Sequence, residues 1–86
     1  MKIKKATYIR DYVIELIFSD GVKKTIDLEA FLMSETNPMT TKFRNKTLFK
    51  KFTIEYGNLS WLGELDILAS DLRNWKQTKT KPNETT

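Results

Sequence analysis

Residues 42–51 carry Lys42, Arg44, Lys46, Lys50 and Lys51 with no acid among them. Such a cluster suits a phosphate backbone: each cation that neutralises a phosphate releases a condensed counterion, so binding falls steeply with salt. Phe43 is interleaved, but no groove-reading helix or aromatic RNA-binding motif accompanies the charges. The same spacing describes the solvated side of a short amphipathic helix, which is what most lysine-rich helical stretches are. Trp61 and Trp75 are a second candidate, because tryptophan concentrates binding energy at interfaces. In a chain of 86 residues both suit the core better. Trp61 falls on an inward strand position, and Trp75 continues a Leu68/Leu72 stripe.

What the chain lacks narrows the field. It has no histidine, which removes the usual general base near neutral pH and the commonest metal ligand. It has no cysteine, so a disulfide framework and a thiolate zinc site are both excluded. No nucleophile is spaced with a recognisable base. The sequence therefore predicts no enzyme, no catalytic residue, no cofactor and no metal. Net charge is +4, and residues 52–75 reverse the local sign with four acids against one Arg. That balance permits weak attraction to nucleic acid or to acidic proteins. The start, Met-Lys-Ile-Lys-Lys, leads into Asp11 and Glu15 rather than an apolar segment, so no signal peptide is expected. No apolar run approaches the ~20 residues of a membrane span, and a cytoplasmic location is expected.

The positioning elements are clearest at Tyr12–Leu28. Tyr12, Ile14, Leu16 and Phe18 alternate onto one face, the period of a half-buried strand. Asp20-Gly21 marks the turn. A two-residue loop would set Phe18 opposite Lys23 and Ile14 opposite Asp27. A three-residue loop, Ser19-Asp20-Gly21, sets Phe18 opposite Val22, Ile14 opposite Ile26 and Tyr12 opposite Leu28. The second register is predicted, since a one-residue slip turns every side chain to the wrong face. It places Gly21 where a type I turn with a bulge needs a positive φ.

Ile3–Ile9 reads as a preceding strand, with lysines on both faces in the manner of a sheet edge. Leu28–Met33 reads as a helical turn or two capped by Asp27, and Ser34–Thr41 as a loop. Asn45 is expected to cap a short helix through about Lys51. A second hairpin is expected over Phe52–Tyr56 and Leu59–Leu62. With Gly57-Asn58 as its type II′ turn, Ile54 faces Trp61 and Tyr56 faces Leu59. After a link at Gly63–Asp66, Leu68, Leu72 and Trp75 mark one face of a final helix. The chain shows no internal repeat.

These residues together resemble the bacterial domain-of-unknown-function family 2442. The resemblance rests on Phe18-Ser-Asp20-Gly21, Asp27-Leu28, Leu48-Phe49, Trp61, Asp66 and Leu72, in that order and spacing, over roughly residues 3 to 75. It implies a small α+β domain without established enzymatic activity. Some members resemble partners in two-gene toxin–antitoxin-like modules, and others are fused to DNA-binding domains. Asp20, Asp27 and Asp66 recur in the pattern and invite a carboxylate site. Turn and cap roles explain them better: Asp20 precedes a turn glycine, while Asp27 and Asp66 can cap helices. Metal binding would need the three to converge, and no spacing shows that.

The expectation is one α+β domain over residues 1–75 and a disordered tail over 76–86. The fold predicted is a twisted antiparallel sheet of about five strands, with two or three short helices packed on one face. Its inner residues would be Ile14, Leu16, Phe18, Ile26, Phe31, Leu48, Phe49, Ile54, Trp61 and Leu72. The function expected is a protein-binding accessory module, the antitoxin-like partner of a two-gene pair. The alternative is a weak nucleic-acid-binding domain using the basic helix face.

Overall fold

A computed structural model describes residues 1–76. The expected tail lies, from residue 77 onward, outside the described residues. Six strands form two three-stranded antiparallel sheets, not five strands in one. The first sheet is the meander β1 (Ile3–Arg10), β2 (Val13–Phe18) and β3 (Lys23–Asp27); the second is β4 (Phe52–Glu55), β5 (Asn58–Trp61) and β6 (Leu65–Ile67). Helix α1 (Glu29–Ser34) follows β3, and α4 (Ala69–Arg73) follows β6. Between the sheets lie α2 (Pro38–Thr41), a 3-10 turn over Lys42–Arg44, and α3 (Lys46–Phe49). Each half therefore repeats the order strand, strand, strand, helix, although the sequence carries no repeat.

The first hairpin follows the predicted register. Ile14 pairs with Ile26, and Phe18 N–H donates to the Val22 carbonyl at 2.9 Å. Gly21 has φ +87°, and its N–H returns to the Phe18 carbonyl at 2.9 Å. Ile14, Leu16, Phe18 and Ile26 are all buried. Strand β1 forms the edge of its sheet, as its lysines suggested, and shows two register shifts against β2 of the kind bulges produce. Bulges tighten the local twist. Where β1 approaches the second sheet, Ile3 N–H donates to the Gly57 carbonyl at 2.8 Å. Among the described residues no ladder of strand pairs joins β1 to β4, so the strands stay in two sheets.

The second hairpin keeps its faces but not its predicted turn. Its two-residue turn is Tyr56-Gly57, with φ +54° and +82°, rather than Gly57-Asn58. Phe52 consequently pairs with Trp61, and Ile54 with Leu59. A turn with both φ values positive matches the right-handed twist of the strands. The observed register differs from the predicted one by two residues, and such a slip leaves every side chain on its own face. Ile54, expected inside, is 36% exposed on its short edge strand, while Leu59 and Trp61 are buried.

Two further expectations are corrected. Pro38–Thr41 is helical rather than loop: Asn37 Oδ1 accepts the Met39 N–H at 2.9 Å, and Pro38 occupies the first turn, where its missing N–H costs nothing. The link at Gly63–Asp66 holds a strand, β6, too short to show a period. Asn45 caps α3 as expected, its side chain accepting from Thr47 and Leu48 N–H. Phe31 and Leu48 are only half-buried, packed against a core that includes Leu28, Leu32, Phe43, Phe49, Leu59 and Leu72.

The glycines at the two turns test this geometry. A Cβ at Gly21 would meet nothing within 4 Å, so Gly21→Ala should cost only the left-handed backbone penalty, about 1–2 kcal/mol. At Gly57 a Cβ would also fall 2.6 Å from Lys2 Cγ, where the sheets meet. Urea unfolding should therefore rank Gly57→Ala as the more destabilising substitution.

Candidate functional site

The basic stretch does not form one continuous cationic face. Arg44 turns back on α1, donating from Nε to the Leu32 carbonyl at 2.8 Å and from one terminal nitrogen to Met33 and Glu35 carbonyls at 3.2 and 2.9 Å. A short helix leaves its last carbonyls unserved, and a guanidinium fork supplies several donors at once. Phe43, interleaved in the sequence, is fully buried. Lys42 pairs with Glu64, and Lys46 with Asp11 at 3.1 Å. Lys50 lies over the Tyr8 ring, 5.1 Å from its centroid. Lys51 points to the other side, onto the outer face of the second sheet.

The Lys46–Asp11 pair perturbs both groups. The hydrogen bond and charge of Lys46 hold the Asp11 carboxyl below its ordinary value, with a smaller opposing effect of desolvation and a further lowering by Arg10. Lys46 is raised by the same hydrogen bond and charge. Lys24 is lowered, chiefly by burial and then by Arg73. Its ammonium donates to the Arg73 and Trp75 carbonyls at 2.9 and 2.8 Å, closing the end of α4.

The three aspartates do not converge on one another. Asp20 accepts the Val22 N–H at 3.2 Å and meets Arg73 Nε at 3.2 Å. Desolvation acts against ionisation of Asp20, but the Val22 N–H and Arg73 outweigh it and lower its pKa. Asp27 accepts the Glu29 N–H at 2.9 Å, although α1 begins one residue later than predicted. Asp66 caps nothing. It lies within β6, and the Ala69 N–H at the start of α4 is taken by Asn58 Oδ1 at 2.9 Å. The Leu68 side chain, expected on the helix core face, is 53% exposed. Leu72 is buried, and Trp75 packs edge-on to Phe31 with centroids 5.6 Å apart. Trp61 is core, and its Nε1 donates to the Phe49 carbonyl at 2.8 Å.

A groove of about 530 Å³ lies on the outer face of β4–β5–β6. Across its middle run Thr53, Ser60 and Asp66, paired strand to strand. Glu55 faces Asn58 in the row nearer the turn. Lys51, Tyr56, Leu62, Gly63 and Leu68 complete the lining. Most of these positions were not singled out from the sequence. The predicted Gly57-Asn58 turn took Asn58 out of the strand, and without β6 the outer side of the hairpin had no third strand to make a floor. No group of three or more acids among the described residues is placed to hold a metal ion. No helix among them is long and apolar enough to cross a membrane.

Two antiparallel meanders, each followed by a short helix and joined through one aromatic core, define a small α+β domain. The chain belongs to the family described as Protein of unknown function (DUF2442), whose model matches residues 3–78. No curated protein and no solved structure matches it.

Two measurements check this reading of the charges. Arg44→Ala should lower the unfolding free energy by about 2 kcal/mol, the scale of charge-assisted hydrogen bonds lost from carbonyls. Lys50→Ala should stay within about 0.5 kcal/mol. The Asp11 contribution to stability is present above the ordinary carboxylate pKa and is lost as pH falls through the depressed one. In Lys46→Ala, NMR titration of the Asp11 carboxyl should show its pKa rising back towards 3.8.

Proposed function

We propose that the protein is a non-enzymatic accessory module that binds one protein partner through the outer face of β4–β5–β6. The observation that carries this reading is Tyr56. This residue stands 93% exposed at the tip of the hairpin, beside the exposed Leu62 and Leu68. Exposed aromatic and aliphatic anchors around a polar floor have the composition of a protein interface. Family membership supports the reading further, because some relatives resemble the antitoxin-like member of a two-gene pair. The cytoplasm is the compartment such a module would occupy.

Nucleic-acid binding through Lys42–Lys51 has weaker support. Lys42, Arg44 and Lys46 already serve Glu64, the α1 carbonyls and Asp11. A phosphate backbone would have to compete with each of these contacts.

The test is capture of the partner at native expression level by the tagged full chain and by a Tyr56→Ser/Leu62→Ser/Leu68→Ser variant. The three side chains are exposed, so the variant should melt with the parent. The expected outcome is one stoichiometric protein held by the parent and lost by the variant. If that protein is the product of the adjacent gene, it should arrest growth when expressed alone and be relieved by this chain. Equal capture by both forms, or none by either, removes the reading. Retention of nucleic acid that dissolves with added salt would favour the basic face instead.

A further inference from the structure

The floor of the outer-face groove holds a group that the domain itself leaves unserved. Ser60 is 2% exposed, and its hydroxyl has no hydrogen-bond partner among the described residues. Buried polar groups are nearly always paired, so an unpaired one in a groove wall is open to a hydrogen bond from whatever fills the groove. On one side of it stands Asp66, whose carboxylate likewise has no ion pair or hydrogen bond among the described residues. On the other side is Thr53, which spends its hydroxyl proton on Glu55 at 3.0 Å and keeps its oxygen free to accept. Paired residues on adjacent antiparallel strands have their Cβ atoms roughly 4.5–5.5 Å apart. The middle row is therefore a short line of acceptors with a carboxylate at one end.

The groove also has a sign. Glu55 and Asp66 line it against the single cation Lys51, on a chain whose net charge is +4. A phosphate would meet repulsion here, whereas a cation with several N–H donors would meet acceptors. Leu62 and Leu68, two residues along from Ser60 and Asp66, add apolar surface for an aliphatic stem. Among cations, guanidinium fits best. It is planar, more weakly hydrated than ammonium, and spreads its donors in a fork that reaches a carboxylate and a neighbouring hydroxyl together.

We infer that this groove seats an arginine side chain presented by an extended segment of the partner protein, its guanidinium on Asp66 and Ser60 and its stem against Leu62 and Leu68. The inference rests on the outer face being the partner surface, and it assigns that surface a chemistry.

The test titrates the 15N-labelled full chain with the blocked peptide Thr-Val-Arg-Val-Thr, its lysine counterpart, and a counterpart with neutral citrulline in place of arginine. The arginine peptide should shift the amides of residues 53, 60 and 66 saturably. Citrulline should bind about tenfold or more weakly, and lysine between the two. Asp66→Asn should weaken the arginine peptide by about tenfold, Ser60→Ala by a few-fold, and Lys50→Glu not at all. Amide spectra of the free variants check that each remains folded. The inference is overturned by shifts centred elsewhere, by equal binding of citrulline, by indifference to Asp66→Asn, or by no shift at millimolar peptide. Partner capture separates the two readings. Capture that needs Tyr56 but survives Asp66→Asn removes the arginine seat and keeps the surface, whereas capture that ignores Tyr56 removes the surface.

Discussion

The contact between Trp61 and Phe49 constrains everything else in the domain. A buried indole N–H needs an acceptor, and the last carbonyls of a short helix need donors. Each meets the other's need in the bond from Trp61 Nε1 to the Phe49 carbonyl. The rings reinforce the bond: Trp61 packs on Phe49, Phe43 and Phe52, with centroids 5.7, 6.4 and 6.2 Å away. Phe49 in turn packs edge-to-face with Tyr8 of β1 and with Tyr12 of the turn into β2, at 6.3 and 5.3 Å. One residue pair thus ties the second sheet to α3 and α3 to the first sheet. With α3 held, the Tyr12 hydroxyl donates to the Arg44 carbonyl, and Arg44 is aimed at the end of α1.

The same constraint decides which surface is left over. Strand residues alternate between faces, so holding Phe52, Trp61 and Leu65 inward turns Thr53, Ser60 and Asp66 outward. The cations between residues 42 and 46, which dominate the sequence on inspection, are largely spent on internal order. The less conspicuous alternation in the second hairpin becomes the open surface. Charge in the sequence and charge available to a partner are different quantities here, because neighbouring carboxylates, carbonyls and rings engage much of the first.

Legibility followed the length of the pattern. The first hairpin was readable to the residue because only one register paired apolar with apolar, and Gly21 agreed with it. The second was readable in its faces but not in its turn, since a two-residue slip costs nothing in alternation and Tyr56 is an unusual residue at φ +54°. Strand β6 was invisible, being three residues long with a charge at its centre. Its absence from the reading turned Asp66 into an expected cap and hid the groove. Asn58 could not be recognised as the partner of Ala69 without tertiary structure, because the two lie eleven residues apart in the chain. The basic cluster was legible as composition but its partners were not, because carbonyl acceptors such as those of Arg44 leave no mark on composition.

The repeated order of three strands and a helix bears on how the molecule assembles. Every strand pairing among the described residues joins neighbours in sequence, so both meanders close over short loops at little cost in chain entropy before their contacts form. What remains is to bring two finished units together, through rings, through Arg44 and through the Ile3–Gly57 hydrogen bond. Separation along that seam would leave every ladder intact while exposing Phe49, so amide protons in the strands and side chains at the seam need not open together.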